Sequence, residues 1–438
     1  MNCITVNPQK ELGKIKPMNA VNNGPVHKET GGQHRSNLQD YANLHIPYAR
    51  NHDASFCPHY GGEHTVDVHA IFPDFSKDPY DPASYDFVCT DHYLKTIEKA
   101  GTKVFYRLGS KIEHGVKKYG TLVPPDFQKW AVICEHIIRH YTEGWADGFH
   151  MDIEYWEIWA EPNIDLDDAE DKRCWGGTAE EFFQFYTIAS KHLKGCFPHL
   201  KIGGPSSVNA RYEEWNNLFL ERMQKENAPL DFFSWHRYCK DPRDVEDCVH
   251  LIRNTLDKYG FYNTESNLDE WNYVRNFTDE FCYTLEQIIG MKGAAFASAV
   301  MSLCQDAPLD MLMYYDVSPG AFNGLFDYYT FRRLKTYYAF HMFSHLYLAG
   351  TQIAVEGEID QICTVAAKGE KGVYTMLTYF SEDDDNKEQK EFEVQLPEGS
   401  QELFLLDEEH DAERVMKFTG SAVTLSMKPN SVILIHSN

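Results

Sequence analysis

The sequence predicts an α/β chain: a (β/α)8 TIM barrel with a small C-terminal β-sandwich domain. Three observations carry that expectation. Short apolar strand signals alternate with longer amphipathic segments through most of the chain. After about His345 the texture changes to short β-rich runs separated by turns. A length of 438 residues suits one large domain plus a small one.

Eight strands are expected near Met18–Asn23, Ile46–Arg50, Lys103–Leu108, Tyr155–Trp159, Lys201–Gly204, Phe232–His236, Asn267–Glu270 and Met311–Tyr315. Between them, Asp126 opens a helix with Phe127, Trp130, Ala131, Cys134, Ile137 and Ile138 on one face. Thr178-Ala179-Glu180-Glu181 reads as a capping box, followed by Phe182, Phe185, Tyr186, Ala189 and Leu193 at helical spacing, with Gly195 placed to end the helix. Asp257-Lys258-Tyr259-Gly260 closes another helix just before the seventh strand. The barrel is therefore assigned to 17–345 and the sandwich to 346–438, with strands 362–366, 372–379, 391–396, 403–406, 423–427 and 432–435. Residues 1–16, through Ile4–Val6 and Glu11–Ile15, are expected to join that sandwich, whose role is packing. The charge run Glu382-Asp383-Asp384-Asp385 reads as a hairpin tip.

A formal charge of −25, without a lysine or arginine cluster, disfavours nucleic acid and anionic membranes as partners. It equally disfavours strongly anionic polysaccharides, although one local arginine would suffice to bind a single carboxylate. The eleven cysteines show no CxxC pairs, a pattern expected of reduced thiols in the cytoplasm. No signal-peptide pattern opens the sequence, and the small-apolar run Gly293 to Cys304 is too short to span a bilayer.

Chemistry concentrates in Tyr155-Trp156-Glu157-Ile158-Trp159-Ala160-Glu161-Pro162-Asn163. Aromatic and β-branched residues make its first half a strand, and proline ends it, leaving Glu161 at the C-terminal tip. A carboxyl held there between tryptophans and a proline sits partly out of water, which suits a general acid. The string resembles the acid/base motif Trp-Asn-Glu-Pro of clan A retaining glycoside hydrolases, and its flanks are most similar to glycoside hydrolase family 39, the family of β-xylosidases and α-L-iduronidases. Ala160 departs from that motif, whose Asn binds the sugar 2-hydroxyl; an alanine side chain has no hydrogen-bonding group to do so.

The resemblance implies a second carboxylate after the seventh strand, acting as nucleophile. Glu265 and Glu270 both lie there. Asn267-Leu268-Asp269-Glu270-Trp271-Asn272 is close to the family's Thr-Glu-Trp-Asn and leaves a short loop after Gly260, so Glu270 is preferred and Glu265 becomes a strand-start residue. Trp235-His236-Arg237-Tyr238 resembles the family's His-x-Tyr segment, which implies that His236 and Tyr238 line the site. A buried, satisfied barrel histidine is the competing structural reading. Arg50-Asn51-His52-Asp53 resembles Arg-x-His, with Arg50 on the nucleophile or a loop carboxylate and His52 and Asp53 on sugar hydroxyls; an Arg–Asp loop brace is the alternative. Tyr314 and Trp271 are the preferred stacking walls, with Trp159 also assigned to substrate.

His136/His140 and His341/His345 lack the glutamate and third ligand of a zincin, so no metal is expected. No Walker loop, GxGxxG or GxSxG occurs, and nothing calls for a cofactor. The resemblance implies a retaining, exo-acting hydrolase of β-glycosidic bonds, with an oligosaccharide or glycoside as partner. A clan A glycosidase of different sugar specificity and a catalytically silent carbohydrate-binding barrel are the rivals.

Overall fold

A computed structural model describes residues 2–28, 35–53 and 64–438. Eight parallel strands close a barrel: β2 (Ala20–Asn22), β3 (Tyr48–Arg50), β4 (Lys103–Leu108), β5 (Tyr155–Ile158), β6 (Lys201–Ser207), β7 (Phe232–Cys239), β8 (Glu265–Tyr273) and β9 (Met311–Tyr314), with β9 returning to β2. Preceding them, β1 (Asn2–Lys14) belongs to the second sheet. Alternation along each strand fills the barrel in layers. The lower layer is apolar: Ala20, Phe105, Tyr155, Phe232, Met311 and Met313. One step higher the strands present Asn22, Arg50, Arg107, Glu157, Ser234 and His236, all buried, so the mouth of the barrel is floored with charge.

The helices that cover the barrel start as their sequences predict. Asp126 caps α1 (Phe127–Glu143) by accepting from the Lys129 amide. Thr178 and Glu181 form the reciprocal capping box of α2 (Ala179–Cys196). That helix does not stop at Gly195: it runs to Cys196 and ends where Phe197 precedes Pro198, whose ring disfavours helical backbone before it. The small-apolar segment is α3 (Met291–Asp306), buried on nearly every side because it lies between the barrel and the second sheet. Among the described residues no single helix is long and apolar enough to cross a membrane.

In the second sheet, β10 (Thr351–Glu356), β11 (Ile362–Gly369), β12 (Gly372–Tyr379), β13 (Lys390–Leu406), β14 (Asp411–Met427) and β15 (Ser431–Ser437) are antiparallel neighbours in the order 10-11-12-15-13-14. The first strand, β1, pairs with both β10 and β13, which folds the sheet onto itself around Ile4, Val6, Ile353, Leu377, Phe392, Val394 and Ile435. Segments 391–396 and 403–406 are halves of one strand, β13, interrupted by register shifts rather than by a turn.

The acidic run at 382–385 does not stand free. Glu382 accepts from Tyr273 at 2.9 Å and from Arg275 at 2.7 Å, and Lys292, only 3% exposed, pairs with Asp384 and donates to the Glu382 carbonyl. Glu382→Ala should therefore lower the unfolding free energy by about 2 kcal/mol, since hydrogen bonds to charged groups are lost on both Tyr273 and Arg275. A denaturant midpoint shifted down at unchanged slope checks this.

Candidate active site

Backbone geometry delivers Glu161. Trp159 and Glu161 both have left-handed φ, 76° and 49°, where non-glycine residues are uncommon. The turn at Trp159 sends its ring out onto Trp130, Trp175 and Phe185 of the helical layer. Gly109 makes room for it, because a Cβ there would lie 2.9 Å from the indole. The second turn returns Glu161 to the barrel mouth, with its amide donating to the Ser206 carbonyl. Asn163 staples the segment to the end of β6 through Ser207 and the Val208 amide.

Glu270 arrives by a bulge. Pairing with β7 shifts register between Leu268 and Glu270, so the sequence neighbours Asp269 and Glu270 both turn into the barrel instead of alternating. One carboxylate oxygen of Glu161, one of Glu270 and a ring nitrogen of His236 all lie within 4.8 Å of one another. Glu265, by contrast, starts β8 at the opposite end of the barrel. It is held there by Lys201 at 2.6 Å and Tyr155 at 3.0 Å, about 16 Å of extended chain from Glu270.

Arg50 ties the cluster together. Its guanidinium is fully buried and donates to Glu157 (2.7 Å), Glu270 (2.8 Å), Asn22 (2.9 Å) and Ser206 (3.0 Å). Tyr238 donates to the other oxygen of Glu270 at 2.9 Å, and His52 lies 3.2 Å from the first. Burial opposes ionisation of Glu270, but His236, His52 and Arg50 beside it hold its pKa below the ordinary value. Burial and the neighbouring Glu270 charge keep the Tyr238 hydroxyl protonated, as a donor must be.

The proton inventory around His236 follows from its partners. Ser206 Oγ has one proton and gives it to Asp269 at 2.7 Å, so it accepts from His236 Nε2–H at 2.7 Å. That leaves Nδ1, 2.9 Å from Glu161, to share a single proton with the carboxyl. Burial disfavours the imidazolium, yet Glu270 and Asp269 raise the His236 pKa well above its usual range. Cys174 approaches the second Glu161 oxygen at 3.8 Å.

Residues 3–416 match the family model described as Glycosyl hydrolases family 39. The chain belongs to this family. It is 29% identical over 123 residues to a β-xylosidase from Geobacillus stearothermophilus, a match covering 27% of this chain and 22% of that protein's length. A glucosidase structure from Croceicoccus marinus superposes with TM-score 0.79 at 22% identity, covering 99% of this chain and 98% of the other. A monomeric β-xylosidase from Caulobacter crescentus gives 0.71 at 15%, with 99% of both chains covered. At these identities the two structures speak for the fold alone.

In this family member, Arg50, His52, Asp53, His236 and Tyr238 gather with the two carboxylates. Trp159, Trp271 and Tyr314 do not: each is at most 1% exposed and packs into the helical layer. Trp271 follows the inward Glu270, so alternation turns it outward onto Tyr314 and Phe296. By the same parity it is Tyr315, not Tyr314, that faces the site, donating to Asp53 at 2.8 Å. Sequence reasoning missed Glu157, Asp269 and Ser206. Glu157 was visible in principle, because alternation from Tyr155 puts it inside the barrel; Asp269 depends on a bulge with no residue signature of its own.

Burial and the Asp269 charge push the Glu157 carboxyl up to about 8 even beside Arg50, while Asp269, though buried, is held at about 2 by Arg50 and His236. In the unfolded chain Glu157 ionises near its ordinary 4.5, so the native state binds the extra proton between these values. Stability contributed by this group is thus full below about 4.5 and lost as pH rises towards 8. Glu157→Gln keeps an acceptor for Arg50 and removes the titration, so its unfolding midpoint should fall less between about pH 5 and about pH 8 than that of the parent.

Proposed function

We propose that the protein is a retaining, exo-acting β-glycosidase, β-xylosidase-like, in which Glu161 is the acid/base and Glu270 the nucleophile. One observation carries the reading: the two carboxylates approach within 4.8 Å. That spacing fits direct attack on an anomeric carbon, whereas an inverting pair leaves about 6.5–9.5 Å for a water. Exo action is supported by the polar wall of Asn23, Asp53, Tyr315 and Asp316, which fills the β2, β3 and β9 side of the mouth.

In the first half-reaction a Glu270 oxygen bonds to the anomeric carbon as the glycosidic C–O bond breaks. The leaving oxygen takes that electron pair and the proton that Glu161 shares with His236. In the second, water gives a proton to Glu161, its oxygen bonds to the anomeric carbon, and Glu270 departs as a carboxylate held by Arg50 and Tyr238. Ala160 offers only a methyl beside the acid/base, so a sugar other than xylose falls within the same proposal.

A 2-fluoro glycoside with a good leaving group should trap a covalent adduct, located on Glu270 by peptide mass spectrometry. An adduct on another residue, or first-formed product of inverted configuration by NMR, overturns the assignment. Glu161→Gln should lower kcat/KM by about 10²–10⁴-fold on substrates with poor leaving groups and far less on activated aryl glycosides.

A further inference from the structure

Among the described residues, Arg50, Arg107, Arg173, Arg237 and Lys111 around the barrel mouth each have their own counter-ion. Arg50 is matched by the ionised Asp269 at 3.3 Å and Glu270 at 2.8 Å, and Arg107 is fully buried on Asp67 at 2.6 Å. Arg173, on the acid/base side, is gripped by Asp165 through side-chain bonds of 2.6 and 2.9 Å. Lys111 pairs with Asp53 at 3.1 Å, with both side chains at most 12% exposed. Arg237, at the end of β7, is likewise paired with Asp244. The arginine able to take a single sugar carboxylate is therefore already spent.

The Lys111–Asp53 pair is joined directly to the reacting centre. Asp53 touches His52 at 3.1 Å, and His52 reaches Glu270 at 3.2 Å. Tyr315 and the Asn23 side chain complete the Asp53 environment. Burial opposes its charge, but His52 and Lys111 keep Asp53 ionised far below the ordinary range. Asp316 behind it is held neutral by burial and by the Asp53 charge, bonded to Asn23 at 3.0 Å. The wall thus presents hydrogen-bonding groups in matched charge pairs and no net positive potential.

We propose that the Asp53–Lys111 ion pair is the charge filter of the sugar-binding subsite: it engages hydroxyls of a neutral sugar and turns away sugar acids. A glycone carboxylate would meet Asp53 and Glu270 with no unmatched cation, and like charges in a desolvated site repel strongly. The proposal rests on the glycosidase reading above and specifies its substrate class.

Aryl β-xyloside and β-glucoside should each be hydrolysed with kcat/KM at least about a hundredfold above the aryl β-glucuronide. Asp53→Asn unmatches Lys111 and should shrink that ratio by about tenfold or more; Lys111→Met unmatches Asp53 and should widen it. Changes of opposite sign are the result expected, because loss of a merely structural brace would depress both substrates alike. A glucuronide turned over as fast as the neutral sugars, or a ratio unmoved in both variants, overturns the filter. If no glycoside is hydrolysed, the catalytic reading fails by itself. The filter is then read from binding of glucose against glucuronate by ligand-observed NMR, where equal or tighter glucuronate binding overturns it.

Discussion

The buried guanidinium of Arg50 is the constraint on which the site depends. It bonds to side chains from β2, β5, β6 and β8, so four strands of the barrel converge on one planar group. An arginine suits this because its fork is rigid, permanently charged and weakly hydrated. Removing a cation from water is expensive, and only several acceptors at good geometry offset that. The site supplies them, and in doing so it fixes Glu270 as a carboxylate before any substrate arrives.

The acids around Arg50 behave differently because their surroundings differ. Four carboxyl groups, Glu157, Asp269, Glu270 and Glu161, crowd a small volume with Arg50 and His236. If all four were ionised the cluster would be strongly negative. Glu157, deepest and beside Asp269, keeps its proton; Asp269 and Glu270, between the guanidinium and the imidazole, do not. The charges that remain there nearly cancel, which lets the mouth of the barrel be both dry and ionised. One further proton is left between His236 and Glu161, which lie 2.9 Å apart.

Much of this was legible in the sequence, and the failures share one cause. Strand and helix signals located the barrel, the trailing sheet and the covering helices, because hydrophobic periodicity and capping are local properties. Glu161, Glu270, His236, Tyr238, Arg50, His52 and Asp53 were singled out at strand ends. What the residues do not announce is facing. A left-handed turn at Trp159 and a bulge at Asp269 each change which side chains look inward. Aromatic residues next to the acids, Trp159, Trp271 and Tyr314, therefore read from sequence as walls of the site, whereas they pack outward into the helical layer. Tyr315, next to Tyr314 and of opposite parity, holds an inward position, and the bulge leaves Asp269 inward together with Glu270.

That reliance on facing gives the second sheet a role beyond covering surface. Strand β8 carries the bulge that turns Glu270 inward, and a bulged strand is free to slip unless its ends are fixed. At its start Glu265 is bound by Lys201 and Tyr155 from the first residues of β6 and β5. At its end Tyr273 and, two residues on, Arg275 are bound by Glu382 from the second sheet. Glu270 sits between these two anchors, five residues from Glu265 and three from Tyr273. A site that needs its groups held to about half an ångström gains from such pinning, and here one of the two pins comes from the connection between β12 and β13 of the second sheet.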